Sequence, residues 1–199
     1  MPGSPAPPRL DPVAGGHLVR IAIATLGAHL AGRRNLVRPP GAVALGRPGA
    51  SFVTLESAGA LRGCVGSVDV SGPLWRDVTR NAVRAAQDPR LPRVTLSDWP
   101  ELDITVSVLS RPEALPSADR AVLVARLRPG VDGLLLSDGV RRAVFLPAVW
   151  AKLDEPERFV AALLVKGGWS ARSWPSGLVA HRYTTEQFGD RAPRPALAS

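Results

Sequence analysis

A single cysteine, Cys64, stands in the segment Leu61–Gly66 of this 199-residue chain. A thiolate is a strong nucleophile, and a neighbouring guanidinium stabilises its charged form. Arg62 lies two residues before Cys64, so in a regular strand the two side chains share one face. Gly63 and Gly66 allow a backbone or a ligand to approach closely. The segment therefore indicates either covalent catalysis by Cys64 or a ligand cleft around the Arg-Gly-Cys motif.

Covalent catalysis by a cysteine normally needs a general base. The histidines are His17, His29 and His181, and no motif connects any of them with Cys64. Their scattered positions also lack the ligand spacing of a zinc site. One cysteine excludes an internal disulfide and cannot supply the thiolates of an iron–sulfur cluster. We expect neither a metal nor a cofactor, and a catalytic Cys64 has no dependable base in the sequence.

Four further polar residues have two interpretations each. Asn81 falls on the apolar arc of a predicted helix, where its amide is either a tie to a strand or part of a site. Asp88 ends that helix with Arg90 as a local partner, or both join Arg62 in an anion-binding cleft. Lys166 either completes a helix C-terminus or provides a cation to the site.

The chain has a formal net charge of +8, and Lys152 and Lys166 are its only lysines. Usage rich in arginine, alanine, glycine and proline is typical of GC-rich coding sequences, so the charge by itself is discounted. Arg76, Arg80 and Arg84 form a stripe on one helix face, which is either solvated or an RNA contact.

Apolar periodicity, capping residues and turn residues predict the elements that position these side chains. Their arrangement favours an α+β fold, with an antiparallel or mixed sheet built from hairpins flanked by helices. The predicted elements are a helix from Asp11-Pro12 to Gly32, a hairpin turning at Ser57-Ala58-Gly59, a helix from Ser71 to Asp88, a strand Leu102–Val108, a hairpin turning at Asp138-Gly139, helices beginning at Pro147 and Pro156, and a strand Leu178–Tyr183.

The chain ends are rich in proline, alanine and arginine, a composition that disfavours packing. We therefore predict mobile tails over residues 1–10 and 190–199 and a single domain over 11–189. An uninterrupted apolar run of about 18 residues is absent, and the N-terminus does not resemble a signal peptide. These features predict a cytoplasmic protein.

Several segments, taken in order, resemble the AMMECR domain family, including its bacterial AmmeMemoRadiSam system protein A type. The resemblance covers residues 13–189, and Gly167 stands where the family usually has alanine. It implies an intracellular α+β protein with two unequal interlocked lobes, and Memo-like and radical-SAM proteins as partners. The segments are Phe52-Val53-Thr54-Leu55, Leu61-Arg62-Gly63-Cys64-Val65-Gly66, Asn81-Ala82, Asp88-Pro89-Arg90, Phe145-Leu146-Pro147 and Lys166-Gly167-Gly168.

Three functions are compatible with these features. The first is a component of an intracellular enzyme system, with a cleft for a small anionic or amide-bearing ligand and Cys64 as the catalytic candidate. The second is a non-catalytic adaptor for Memo-like or radical-SAM partners, and the third is an RNA-binding protein. The ligand-binding candidates are Arg62, Gly63, Gly66, Asn81, Asp88, Arg90 and Lys166.

Overall fold

A computed structural model describes residues 10–34, 41 and 43–197. The predicted N-terminal tail therefore lies outside the described residues, except for Leu10. The described chain forms two compact units: unit 1 runs to Leu109 and resumes at Glu186, and unit 2 is Ser110–Thr185. The two unequal units are interlocked along the sequence, because unit 1 is completed only after the chain has formed unit 2.

Each unit contains a four-stranded sheet, so the predicted α+β class is confirmed. The strand order is β2-β1-β3-β8 in unit 1 and β4-β7-β5-β6 in unit 2. The elements in chain order are α1 (Pro12–Leu30), α2 (Val43–Gly46), β1 (Ser51–Ser57), β2 (Ala60–Gly66), α3 (Leu74–Ala86), a 3₁₀ helix (Leu96–Glu101), β3 (Leu102–Leu109), β4 (Glu113–Leu115), α4 (Arg120–Val124), β5 (Gly133–Ser137), β6 (Arg142–Phe145), a second 3₁₀ helix (Pro147–Ala151), α5 (Pro156–Lys166), β7 (Val179–Tyr183) and β8 (Thr185–Asp190).

The boundaries of α1 and of the first hairpin follow from local chemistry. The Asp11 side chain accepts a hydrogen bond from the backbone N–H of Val13, which caps α1. Between β1 and β2, Ala58 and Gly59 have φ angles of 49° and 78°. Two consecutive positive φ angles match the twist of a tight antiparallel hairpin, as the sequence predicted.

In unit 1, α1 and α3 form a helical layer that covers one face of the sheet. The apolar side of each helix packs on β1 and β3, whose inward residues are fully buried. By length and composition α1 also qualifies as a membrane span, but half of that window is buried inside the protein, as in a core helix. The residues at the centre of this core include Leu18, Leu26, Val53, Leu55, Val78, Ala82, Ile104 and Val106.

The chain after β8 packs against unit 1 where the sequence predicted the mobile tail 190–199. The Trp99 indole N–H donates to the Pro195 carbonyl at 2.9 Å. The Arg194 guanidinium lies 5.1 Å from the Trp99 ring centroid, and Leu197 packs against the unit 1 core. The described part of this tail, up to Leu197, has specific partners, and we call it the C-terminal strap.

Unit 2 has its own apolar core between its sheet and α5. Trp150 stacks on Phe159 with ring centroids 3.8 Å apart. The Trp150 indole N–H donates to the carbonyl of Asp132, a fully buried residue whose carboxylate is paired with Arg128. The polar groups at this edge of the core are thus hydrogen-bonded, as burial requires.

Gly167 is the C-cap residue of α5, and its small size has a packing reason. A Cβ at this position would lie 2.0 Å from the Trp169 ring. The Trp169 indole N–H in turn donates to Asp138 at the turn between β5 and β6, at 2.9 Å. The segment after α5 is therefore packed tightly against the second hairpin.

Candidate functional site

Cys64 lies in the middle of β2, the strand at one edge of the unit 1 sheet. It pairs with Thr54 of β1, whose hydroxyl donates a hydrogen bond to Sγ at 3.3 Å. Val53 and Leu55 on either side of Thr54 are fully buried in the core. Since side chains alternate along a strand, Thr54 and Cys64 lie on the face turned away from the helical layer. The thiol is half-buried there.

An ion pair between the buried Asp88 carboxylate and the exposed Arg90 guanidinium occupies the outer edge of β2 at Cys64. The Asp88 carboxylate accepts a hydrogen bond from the Cys64 N–H at 3.1 Å, and the Arg90 guanidinium donates to the Cys64 carbonyl at 2.9 Å. Arg90 also donates two hydrogen bonds to Asp88, at 2.9 and 2.7 Å. The unpaired backbone groups of an edge strand are costly when shielded from water, and this pair, the Asp88–Arg90 clip, satisfies both.

The electrostatics of the clip keep it charged. Asp88 is 2% exposed. The hydrogen bonds from the Arg90 side chain hold the pKa of Asp88 well below its usual range, against the opposing effect of burial, and the Cys64 N–H adds to the lowering. The hydrogen bonds to Asp88 raise the pKa of Arg90. A carboxylate and a guanidinium in this bidentate geometry form one of the stronger polar contacts available to a protein.

Two glycines of the motif are required by the backbone around them. A Cβ on Gly63 would lie 1.9 Å from the carbonyl oxygen of Ala85, near the end of α3. A Cβ on Gly66 would lie 2.3 Å from the carbonyl oxygen of Ser51. Gly63 therefore lets the end of α3 touch β2, and this contact delivers Asp88 to the strand edge three residues later.

Arg62 is directed to a different partner. Leu55 pairs with Gly63 and Glu56 pairs with Leu61, so Arg62 is the extra residue of a β-bulge. The bulge interrupts the strand alternation that placed Arg62 beside the thiol. The Arg62 guanidinium lies 3.0 Å from the carboxylate of Asp98, with which it forms an ion pair.

Asn81 is a tie between α3 and β1. Its side chain is fully buried, and its amide N–H groups donate to the Ser51 carbonyl at 3.0 Å and to the Asp77 carboxylate at 2.9 Å. Asp77 also accepts hydrogen bonds from the Ser51 N–H and hydroxyl. Of the two interpretations of Asn81, this geometry corresponds to the structural one, on the sheet face opposite Cys64.

Lys166 belongs to unit 2, at the end of α5. Its ammonium donates to the Val144 carbonyl of β6 at 2.7 Å and lies 5.0 Å from the Phe145 ring centroid. These contacts join the helix end to the edge of the unit 2 sheet. This link to β6 is a structural contact that neither interpretation from the sequence included.

The histidines do not form a catalytic pair with the thiol in the described part of the chain. His29 lies 3.2 Å from the Gln87 amide, where the ends of α1 and α3 meet. His181 sits in β7 of unit 2, and its Nδ1 is buried without a hydrogen-bond partner. Among the described residues, no group of three or more His, Cys, Asp and Glu side chains could hold a metal ion.

The structure thus brings together Cys64, Asp88 and Arg90 from the candidates, with Thr54 added. The sequence missed Thr54 because counting from the hairpin turn, without a bulge, would pair it with Gly63. It also missed Asp98, the partner of Arg62. Alternating apolar residues around Thr54 were a signal for its outward face, but the bulge that aligns it with Cys64 has no comparable signal.

Comparison with known proteins assigns the chain to a family. The family model of AMMECR1 matches residues 19–188. The chain belongs to the AMMECR1 family. A protein of Methanothermobacter thermautotrophicus is 36% identical over 157 residues, which are 77% of this chain and 82% of that protein. Protein MJ0810 of Methanocaldococcus jannaschii is 30% identical over 185 residues, covering 90% of this chain and 92% of the relative.

A solved structure of the family shares the architecture. The crystal structure of uncharacterized protein PH0010 from Pyrococcus horikoshii superposes with a TM-score of 0.82 at 28% identity. The match covers 90% of this chain and 92% of that one. The AMMECR1 fold, with two four-stranded sheets and flanking helices, is therefore the fold of this chain.

Proposed function

We propose that this AMMECR1-family chain is a ligand-binding component of an intracellular enzyme system, and that its ligand contacts Cys64. The observation that supports the proposal is how the residues around Cys64 bind its backbone and leave its side chain partly accessible. The Asp88–Arg90 clip fixes both backbone polar groups of the residue, while the side chain remains half-buried on the sheet face away from the helices. A rigid backbone under an accessible side chain is the arrangement of a preorganised binding site.

The same geometry favours binding over covalent catalysis. The Thr54 hydroxyl donates a hydrogen bond to Sγ, and a hydroxyl is not a general base at neutral pH. The Arg90 guanidinium at the strand edge is engaged in an ion pair with Asp88, and the Arg62 guanidinium is directed to Asp98. Because their charge is largely compensated, an amide-bearing ligand fits the surroundings of Cys64 better than a strongly anionic one. Memo-like and radical-SAM partners stay predictions.

Labelling of the thiol tests the proposal, since Cys64 is the sole cysteine. Native protein is treated with N-ethylmaleimide, and the modified fraction is followed by intact-protein mass spectrometry. We expect Cys64 to react without denaturant, more slowly than in the unfolded chain. N-acetylglycinamide should slow the native reaction more than inorganic phosphate does.

The unfolded protein in urea is the control, because neither probe should alter its labelling rate. Two results would contradict the proposal. If Cys64 reacts only after unfolding, it is a core residue. If the labelling rate of the native protein is the same with and without either probe, the thiol is accessible but binds neither of them.

A further inference from the structure

In unit 1, basic side chains predominate on the helical layer and acidic side chains on the opposite face of the sheet. Residues 12–55 contain five arginines and no aspartate or glutamate, and α1 lies within this stretch. In α3 the one acidic residue is Asp77, which is 3% exposed and tied into the protein by Ser51 and Asn81. Arg20 is the one arginine within α1, and Arg33 and Arg34 follow its end. The surface of this helical layer therefore carries basic charge with little acidic compensation.

We call the exposed basic residues of this surface the helical-layer arginines. The opposite face of the same sheet is more acidic, because the carboxylates of Glu56, Asp103 and Asp190 line an open depression there together with the single basic residue Arg191. A GC-rich coding sequence accounts for many arginines, but it does not sort acidic and basic residues onto opposite faces of a sheet. The helical-layer arginines are Arg20, Arg33, Arg34, Arg76, Arg80 and Arg84.

The arginines of α3 follow a regular spacing. Arg76, Arg80 and Arg84 are four residues apart, so each step advances about 6 Å along the helix. In a stacked strand the phosphates follow one another about every 3.4 Å along the axis, so the row of about 12 Å covers three to four phosphate spacings. Arg80 is partly compensated by an ion pair with Asp77. In the described residues no ion pair engages Arg76 or Arg84.

An aromatic ring stands at one end of this row. Trp75 is half-buried, and the Arg76 guanidinium lies 5.2 Å from its ring centroid. Single-strand binding surfaces combine guanidiniums along the backbone with aromatic rings on which unstacked bases lie. A duplex keeps its bases stacked and would not use such a ring.

We propose that the helical layer binds the backbone of single-stranded nucleic acid, with base stacking on Trp75 and without sequence-specific readout. A lipid surface fits less well, since α1 and α3 bury most of their apolar side chains in the core and leave no broad apolar face to insert beside Val13 and Trp75. Guanidiniums bind phosphates bidentately, which suits a phosphodiester chain. This surface lies on the sheet face opposite Cys64, so it is independent of the proposed ligand site.

Two triple variants with the same change of net charge test the placement. The first is Arg33→Gln/Arg76→Gln/Arg84→Gln, all exposed on the helical layer. The matched control is Arg111→Gln/Arg126→Gln/Arg172→Gln, all exposed in unit 2. Fluorescence anisotropy with a labelled oligouridylate of about 16 nucleotides measures the dissociation constant across a salt series.

We expect the layer triple to weaken binding at least about tenfold and to reduce the steepness of the salt dependence by about 2 in log–log slope. The control triple should change the dissociation constant by less than about twofold. Trp75→Leu should weaken binding of the single strand while leaving duplex binding unchanged. Circular dichroism of each variant confirms that the exposed substitutions leave the fold intact.

Several outcomes would overturn the proposal. Equal weakening by the two triple variants would show that only net charge affects binding. No weakening by either variant would show that the helical layer does not bind nucleic acid. Tighter binding of duplex than of single strand, or an unchanged affinity of Trp75→Leu, would contradict the single-strand assignment. Binding of phosphatidylserine vesicles or polyglutamate as tightly as oligouridylate would identify a general polyanion surface instead.

Discussion

Asp88 explains more of the local structure than any other residue of the candidate site. The sequence left two roles open, a helix stop with a local Arg90 partner or a member of an anion cleft. The structure shows the local pair and adds that the pair is bonded to the backbone of Cys64. The Asp88 carboxylate is 2% exposed, and its charge is compensated by Arg90 while it accepts the hydrogen bond from the Cys64 N–H. The cysteine motif and the Asp-Pro-Arg segment are two parts of a single contact.

Replacing Asp88 by asparagine keeps an acceptor for the Cys64 N–H but removes the charge that pairs with Arg90. We expect a loss of about 1–2 kcal/mol in the free energy of unfolding at pH 7, toward the low end because the Arg90 side chain is 66% exposed. Urea denaturation of the variant and the wild type measures the difference. Glu101→Gln, the same kind of change at an exposed position of unit 1, is the control and should change stability by less than about 0.5 kcal/mol.

The pH dependence of this difference has a fixed sign. The folded state lowers the pKa of Asp88, so its stabilisation is present above the unfolded-state pKa of about 3.9 and is lost as the pH falls toward the folded-state value. The gap between wild type and Asp88→Asn should therefore narrow below about pH 4. A gap that stays constant from neutral to acidic pH would show that the charge of Asp88 does not carry the effect.

At the scale of elements, the contact between the end of α3 and β2 positions the clip. Gly63 permits this contact because the Ala85 carbonyl occupies the space that a Cβ would need. A clash with backbone is harder to relieve than one with a flexible side chain, since the helix itself must move. The absence of a Cβ at Gly63 therefore sets the distance from α3 to the edge of β2. This distance in turn allows the Asp88 side chain to contact the backbone of Cys64.

Gly63→Ala should destabilise the protein by about 3 kcal/mol or more, because the added methyl group cannot be accommodated without shifting α3. Urea denaturation measures the loss. Gly46→Ala is the matched control, because no atom lies within 4 Å of a Cβ built at that position, and its effect should stay within about 0.5 kcal/mol. A Gly63→Ala variant as stable as the Gly46→Ala variant would show that α3 yields easily at this contact.

Strong local signals explain which elements the sequence could predict. The start of α1 at Pro12, the tight turn at Gly59 and the alternating strand predicted over Leu102–Val108 are all encoded within a few residues. All three are confirmed, and the strand runs one residue further, to Leu109. The short elements α2, β4 and α4 were missed, because three to five residues are too few for a periodic pattern. The strand β8, which completes the unit 1 sheet, was missed as well.

The candidate site depended on information that no local pattern contains. The bulge at Arg62 changes which residue faces Thr54, and the clip forms only once α3 has packed on β2. Gly167 shows the same limit: the family usually has alanine at this position, yet here the Trp169 ring fills the space that a Cβ would need. Such contacts join residues that are far apart in the sequence or lie at irregular positions such as a bulge. Residue propensity and hydrophobic periodicity cannot predict them.

At the scale of the whole molecule, the composition of a segment did not determine whether it packs. The C-terminal strap has the proline- and alanine-rich sequence of a tail, but it provides the acceptor for the buried Trp99 indole. Ala192 also donates a backbone hydrogen bond to Asp103 of β3 at 2.7 Å. The strap therefore completes the part of unit 1 that joins the end of α1 to the 3₁₀ helix before β3.

Removing residues 191–199 should loosen this part of unit 1 and leave unit 2 unaffected. Trp99 is 4% exposed and would lose both its acceptor and the cover provided by Arg194 and Leu197, so local opening of its surroundings becomes less costly. Hydrogen–deuterium exchange should quicken in peptides from the second half of α1 and from Leu96–Glu101. Peptides from β5 and α5 of unit 2 are the internal control and should keep their exchange rates. Unchanged exchange around Trp99 would mean that the strap contacts unit 1 without stabilising it. Faster exchange throughout both units would show that the truncation lowers global stability and does not act through this contact alone.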